Sequence, residues 1–348
     1  MRFYQGDYNY YLGIDLHVEN MYLCLLDKSG EVLLHKNIKT KPELFLSEIE
    51  PYRENLVVGC ECMYTWYWLA DLCCKENIEF VLGHALYMKA VHGGKAKNDK
   101  LDSLKIATML KGGVFPIAFV YPRDMRATRD FMRRRLFYVN RRAELMGHVK
   151  MTHHQYNLPV PDRHVRHKAT RDSIKLGFDD EATHKMIESD FAMIEHYTKE
   201  IDKIELYIRK SSIKNGINNL IYQLLKTIPG IGDTLSLTIL YETQNIERFP
   251  TVQQFCSYSR LVKPQKTSAG KKTGGGGGKI GNHFLKWAFS EATALMLRNS
   301  DEAKFYMNRL LKKHSKPKAM NILAHRIGKA CYFIMKRQEA FNNKMFFA

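Results

Sequence analysis

The polarity pattern of the first 83 residues allows few folds. Three strand-like runs follow one another with no helix between them: YYLGIDL from Tyr10, MYLCLLD from Met21 and EVLLHKNI from Glu31. Between the second and third, Asp27–Gly30 reads DKSG, a sequence suited to a hairpin turn. A helix is expected over 41–50. LVVGCE at 56–61 is apolar almost throughout, as a strand buried on both faces must be. Tyr64–Lys75 has a helical pattern, and EFVLG at 79–83 reads as a fifth strand.

The order β-β-β-α-β-α-β is that of an RNase H-like (RuvC-like) α/β core. In that fold, metal ligands sit on the first strand, on the fourth strand and on a late helix. Four acidic residues occupy those places. Asp15 ends the first strand and Glu61 the fourth. Asp99 and Asp102 lie three apart in KNDKLDSLKIA, so a helix there presents both from one face. Such a set suggests a cage for a divalent metal beside nucleic acid. Each acid also has a plainer reading. Asp15 could cap a turn, Glu61 could pair with a lysine, and Asp99 could be a helix N-cap with Asp102 in the first turn. Their joint order favours the cage. His17, two residues after Asp15, reads as a solvated or core histidine, with a supporting role behind the ligands as the alternative.

The net charge of +18, from 54 Lys and Arg against 36 Asp and Glu, points to a polyanionic partner, nucleic acid before anionic membrane. No run of about 18 apolar residues occurs, so no transmembrane helix is expected. The N-terminus has no apolar signal core, and a cytoplasmic protein is the default expectation. The seven cysteines form no pair of C-x-x-C knuckles. Reduced buried thiols are expected, not a zinc site.

Residues 123–156 read as one long helix dense in arginine, including Arg126, Arg129, Arg133, Arg134 and Arg141. Apolar residues recur through it at helical spacing. The arginine face is a candidate phosphate-binding surface, since guanidinium grips phosphate in a bidentate fork; a solvated basic face is the alternative. Pro159 and Pro161 break the helix. A second long helix over 180–213 carries Met186, Ile187, Met193, Ile194, Tyr197, Ile201, Ile204 and Ile208 near heptad spacing. A dimerisation arm and one helix of a bundle are equally compatible with it.

LLKTIPGIGDTLSLTIL at 224–240 reads as helix, tight turn and helix. Gly230 and Gly232 would let backbone amides approach a phosphate, as in helix-hairpin-helix DNA binding. Between 248 and 290 there is no acidic residue and much lysine, with Lys263, Lys266, Lys271, Lys272 and Lys279 as candidate nucleic-acid contacts. Five glycines at 274–278 suit a loop, not a packed element, and no P-loop pattern follows a strand. A helix is expected from Asn282 to about Asn299, then a basic helical tail. The expected organisation is a RuvC-like domain with the arginine helix at 1–157, a hinge and coiled-coil-like helix at 158–218, a mostly helical domain at 219–300 and a tail at 301–348.

GIDLH, YMKAVHGGKAKNDKLDSLKIA, and LLKTIPGIGDTLSLTIL followed by FCSYSRLVKPQKTSAGKK and KIGNHFLKWAFSEA together resemble the DEDD-type insertion-sequence transposases of the Piv-like group, insertion-sequence family 110. The resemblance implies a DNA transposase or recombinase with Asp15, Glu61, Asp99 and Asp102 as carboxylates for Mg²⁺. It implies Ser268, in KTSAGKK, as a nucleophile that forms a covalent phosphoserine intermediate. Thr267 beside it leaves that register open by one residue. It further implies a noncoding RNA bridging donor and target DNA, a homo-oligomer (dimer or tetramer) and a bacterial, nucleoid-associated location. Ser268 lies about 170 residues beyond Asp102, so this mechanism requires the two domains to meet, within a chain or across subunits. The competing function is a RuvC-like structure-specific endonuclease that hydrolyses DNA and leaves no adduct.

Overall fold

Strands β1 (Tyr10–Leu16), β2 (Asn20–Asp27) and β3 (Val32–Lys39) form an antiparallel meander. The β2–β3 turn is held by Asp27, whose Oδ1 accepts from Ser29 Oγ (2.7 Å) and from the amides of Gly30 and Glu31 (2.8 Å each). This is the reason DKSG turns: an aspartate can replace the missing ladder bonds with its own side chain. Helix α1 (Pro42–Ile49) leads through a 3-10 turn (Glu50–Tyr52) to β4 (Leu56–Glu61). Helix α2 (Tyr67–Lys75), β5 (Glu79–Gly83), α3 (Ala85–Val91) and α4 (Asp99–Lys111) follow. The sheet order is β3-β2-β1-β4-β5, with β4 parallel to both β1 and β5. This is the RNase H/RuvC-like arrangement the sequence pattern predicts.

The description covers residues 2–91, 98–160, 178–214, 219–263, 267–272 and 280–347 of the computed structural model.

Alternation along the strands sorts the core into two layers. Leu12, Ile14, Leu16, Val58, Cys60 and Leu82 meet Phe45 and Ile49 of α1 and Leu69 and Cys73 of α2. On the opposite face Tyr11, Val57 and Val81 meet Ile106, Met109 and Leu110 of α4. β4 contributes to both layers, which explains its unbroken apolar run. Five of the seven cysteines are buried; Cys62 and Cys74 are exposed, against the expectation of uniform burial. No disulfide links any of them.

Helix α4 runs antiparallel to β1. Its middle crosses Gly13, where a Cβ would come within 2.3 Å of the Ser103 carbonyl oxygen and the Ala107 amide nitrogen. Its N-terminus therefore lies at the carboxyl end of β1, beside Asp15.

The chain divides into two compact units, Met1–Asp124 and Met125–Ala348. The second is helical: α5 (Arg123–Gln155, whose first two residues belong to the first unit), α6 (Glu181–Lys214), α7 (Asn219–Lys226), α8 (Asp233–Thr243), a 3-10 turn (Ile246–Arg248) and α9 (Val252–Tyr258). A two-stranded hairpin follows, β6 (Thr267–Ser268) and β7 (Lys271–Lys272). Then come α10 (His283–Asn299), α11 (Asp301–Leu311), α12 (Lys316–Arg337) and α13 (Asn343–Phe347).

Leu225, Ile239, Phe255, Phe289, Leu323, Ile327 and Cys331 form the centre of this unit. The C-terminal segment is thus more than a basic tail: α12 supplies part of the core while Lys316, Lys318, Lys329, Lys336 and Arg337 are exposed. In α6, Ile187, Ile194, Ile201 and Ile208 recur every seven residues and are buried. Ile187 and Ile194 pack with Val149 of α5, so part of this seam is filled within the chain. Met186 and Met193 lie outside the seam and are exposed. None of the described helices is long and apolar enough to cross a membrane.

Candidate active site

The four predicted acids are carried to one edge of the first unit by strand pairing and helix packing. Ile14 pairs with Cys60 across the parallel β1–β4 ladder, so Asp15 and Glu61 are the next residues on each strand. Residues in register on neighbouring parallel strands point to the same face. Here that face is the one covered by α4, because Gly13 and Val57, two and four residues back, meet α4. Asp99 and Asp102 start α4 and arrive from above. The Asn98 side chain is the N-cap, accepting from the Lys100 amide at 3.0 Å. Asp99 is therefore not occupied as a cap, and both aspartates lie in the first turn, where the helix dipole favours negative charge.

Asp15, His17 and Asp99 each offer one ligand atom, all within 4.8 Å of one another. His17 Nε2 is 3.4 Å from Asp15 Oδ2 and 3.8 Å from Asp99 Oδ1. Glu61 and Asp102 are outside that close group. Asp102 pairs with Lys105 at 2.8 Å. His17 is not a core histidine. It stands between two of the acids with its side chain half exposed. The visible signal was its position just past a strand that ends in aspartate.

Asp15 is the most enclosed of this group, its side chain 16% exposed against 58% for Asp99. Burial raises its carboxyl above the usual range; His17 opposes the rise, while Asp99 and Asp102 add to it. Carboxylates crowded in this way repel one another until a cation enters. The donor set is mainly carboxylate oxygen, which suits Mg²⁺ or Mn²⁺.

A family profile described as a transposase, of the IS110 DEDD type, matches residues 12–156. A second, described as Transposase IS116/IS110/IS902 family, matches residues 222–307. The chain belongs to the IS110-type DEDD transposases. Comparison with curated proteins gives no matching relative. The family makes the chain a DNA transposase or recombinase, with DNA as its substrate and a divalent metal suggested by its DEDD acids.

The second profile spans Gly230, Gly232, Ser268 and the predicted lysines from Lys263 to Lys279. Ser268 is the last residue of β6 and pairs with Lys271. The two residues between them, Ala269 (φ 47°) and Gly270 (φ 74°), both have left-handed backbone, as a tight two-residue hairpin requires. Lys263 and Lys271 are exposed. Lys266, Lys279 and the glycine run lie outside the described residues.

Gly230 (φ 90°) is required by packing: a Cβ there would come within 2.5 Å of the Met296 amide nitrogen in α10. Gly232 has open space around it. The N-terminus of α8, which follows it, already carries a carboxylate. Asp233 pairs with Lys226 at 2.7 Å and accepts from the Tyr222 hydroxyl at 2.7 Å. Those partners hold the Asp233 carboxyl below the usual range, so it stays negative where a phosphate would have to approach.

The arginine helix divides into an inner and an outer set. Arg126 and Arg129 are buried. Arg129 Nε donates to Glu242 Oε2 at 3.1 Å, and Arg133 clasps the same carboxylate through Nε (2.7 Å) and Nη2 (2.8 Å). Glu242 is 2% exposed. Burial alone would raise it, yet Arg133, Arg129 and Asn282 hold it below the usual range. Asn282 Nδ2 donates to Glu242 at 2.7 Å, while its Oδ1 caps α10 by accepting from the Phe284 and Leu285 amides. Sequence reasoning passed over Glu242 because an isolated glutamate in an apolar helix carries no spacing signal. Outward, Arg134 and Arg141 lie over the exposed Phe137 ring at 5.4 and 5.0 Å.

Proposed function

We propose that this transposase exchanges DNA strands through a covalent phosphoserine. The Ser268 hydroxyl attacks a phosphodiester phosphorus, and the displaced sugar oxygen leaves with a proton as a hydroxyl. A sugar hydroxyl of another strand then attacks the phosphoserine, restores the serine hydroxyl and closes a new phosphodiester. One ester replaces another at each step, so no nucleotide hydrolysis is needed. Asp15, Glu61, Asp99 and Asp102 would hold Mg²⁺ or Mn²⁺, which when bound polarises the scissile phosphate and neutralises its developing charge.

The observation that supports the reading most is the placement of Asp15 and Glu61 side by side at the carboxyl ends of β1 and β4, with the α4 first turn that carries Asp99 and Asp102 beside Asp15, within a chain that belongs to a transposase family. A hairpin that fixes the Ser268 backbone beside Lys271 is compatible with a serine presented to a phosphate. In this reading a noncoding RNA bridging donor and target DNA carries target choice, and the protein works as a homo-oligomer. The exposed Arg134–Phe137–Arg141 set offers the phosphate-gripping and base-stacking chemistry that a nucleic-acid partner needs. Lys263 and Lys271 add positive charge near the serine in sequence.

The test is adduct trapping. The protein, its DNA ends and its element-encoded RNA are mixed with Mg²⁺, denatured and resolved for protein-linked DNA. Mass spectrometry then locates the link. The reading predicts a nucleotide on Ser268 and no adduct with Ser268→Ala. Cleaved DNA without any adduct would transfer the assignment to metal-dependent hydrolysis.

A further inference from the structure

We infer that His17 is itself a ligand of the divalent cation, making the centre a mixed nitrogen–oxygen site built on Asp15, His17 and Asp99. This rests on the metal reading of the acidic edge given above and extends it to a residue outside the four acids.

Geometry carries the inference. The His17 backbone is pinned on both sides: its amide donates to the Asn20 carbonyl at 3.1 Å, and its carbonyl accepts from Thr40 Oγ1 at 3.0 Å. The imidazole is thus launched from a fixed base at the end of β1. One nitrogen, Nε2, faces both carboxylates, at 3.4 Å from Asp15 and 3.8 Å from Asp99. These separations are longer than a good hydrogen bond, which closes to about 2.7–3.2 Å. They match neighbouring donors around one cation. With bonds of about 2.1 Å, donors at right angles lie roughly 3.0 Å apart and opposite donors roughly 4.2 Å apart.

The surroundings agree. Lys105 neutralises Asp102, whereas the group facing both Asp15 and Asp99 is an imidazole, which can give a lone pair as readily as a proton. Asp99 and His17 are each more than half exposed, so a hydrated ion can reach them without opening the core. An imidazole among carboxylates also changes which metal is preferred. Mg²⁺ favours oxygen alone, and affinity for sites that include nitrogen rises along the first row from Mn²⁺.

Mn²⁺ binding to the full chain tests this. Free Mn²⁺ is read by electron paramagnetic resonance, and nitrogen coupling to bound Mn²⁺ by its pulsed form. Wild type is expected to show nitrogen coupling. His17→Ala is expected to lose that coupling and to bind Mn²⁺ more weakly by at least the roughly 10–100-fold that loss of a hydrogen-bonding partner behind a metal ligand costs. Mg²⁺, followed by competition, should lose less. His17→Gln, which keeps a polar side chain of similar reach, should also lack the coupling. Circular dichroism checks that both variants are folded.

Bound Mn²⁺ with no nitrogen coupling in wild type, or with coupling that survives both His17 changes, overturns the ligand role and leaves the carboxylate site standing. Failure of wild type to bind Mn²⁺, or equal binding by Asp15→Asn, overturns the metal reading and this inference with it.

Discussion

Gly13 lies directly beneath Ser103: a Cβ added to Gly13 would come within 2.3 Å of the Ser103 carbonyl oxygen. This contact between β1 and α4 lets the helix settle on the sheet and delivers Asp99 to the end of the strand that carries Asp15. The glycine in GIDLH is therefore part of the site although it bears no functional group.

Gly13→Ala should force α4 off the sheet, because the obstruction is helix backbone, which cannot rotate away. Overpacking of this kind costs about 1–3 kcal/mol, occasionally more. Urea denaturation should show the loss. Recombination should fall further than stability explains, since Asp99 and Asp102 move with the helix.

Glu242 should be indispensable to the second unit. Glu242→Ala leaves Arg129 and Arg133 facing a buried void, and breaking a buried charge pair costs about 3–5 kcal/mol. The pH dependence follows from its lowered carboxyl. Stability from Glu242 is fully present above its unfolded value, 4.5, and is lost as pH falls through the lower folded value. Glu242→Gln should lose stability at neutral pH and show a shallower acid limb than wild type in denaturant titrations.

Asp15→Asn should separate stability from activity. Burial and its acidic neighbours raise the Asp15 carboxyl, so its ionised form is disfavoured in the folded state. The associated stability is present at low pH and lost as pH rises through the raised folded value. In EDTA at neutral pH, the neutral asparagine should therefore melt higher than wild type by calorimetry. With divalent metal the order should narrow or reverse, and strand exchange should disappear.

Asp233 should weaken nucleic-acid binding at the turn after α7. Asp233→Asn removes a negative charge from the α8 N-terminus, a change worth on the order of 0.3–1 kcal/mol. Fluorescence anisotropy with duplex DNA at low salt should show modest tightening. Unchanged affinity would indicate that DNA does not approach this turn.

Much of the first unit was legible because two rules act over short range. Alternation placed Asp15 and Glu61 at strand ends, and helical spacing put Asp99 and Asp102 on one face. What one sequence cannot show is which long-range partner a charge will meet. Arg129 and Arg133 look like their outward neighbour Arg134, yet their partner, Glu242, lies about a hundred residues away. The closeness of His17 to Asp99 is hidden for the same reason, since Asp99 reaches it only after α4 docks. Helix α12 reads as part of a tail because its many lysines and arginines mask the stripe of Leu323, Ile327 and Cys331.

The most direct test of the account is sequencing of donor–target junctions in cells that express the protein with its native flanking DNA. Wild type, Asp15→Asn and Ser268→Ala would be compared at matched protein levels. The account predicts junctions from wild type and none from either variant. Junctions from Ser268→Ala at the wild-type frequency would contradict it.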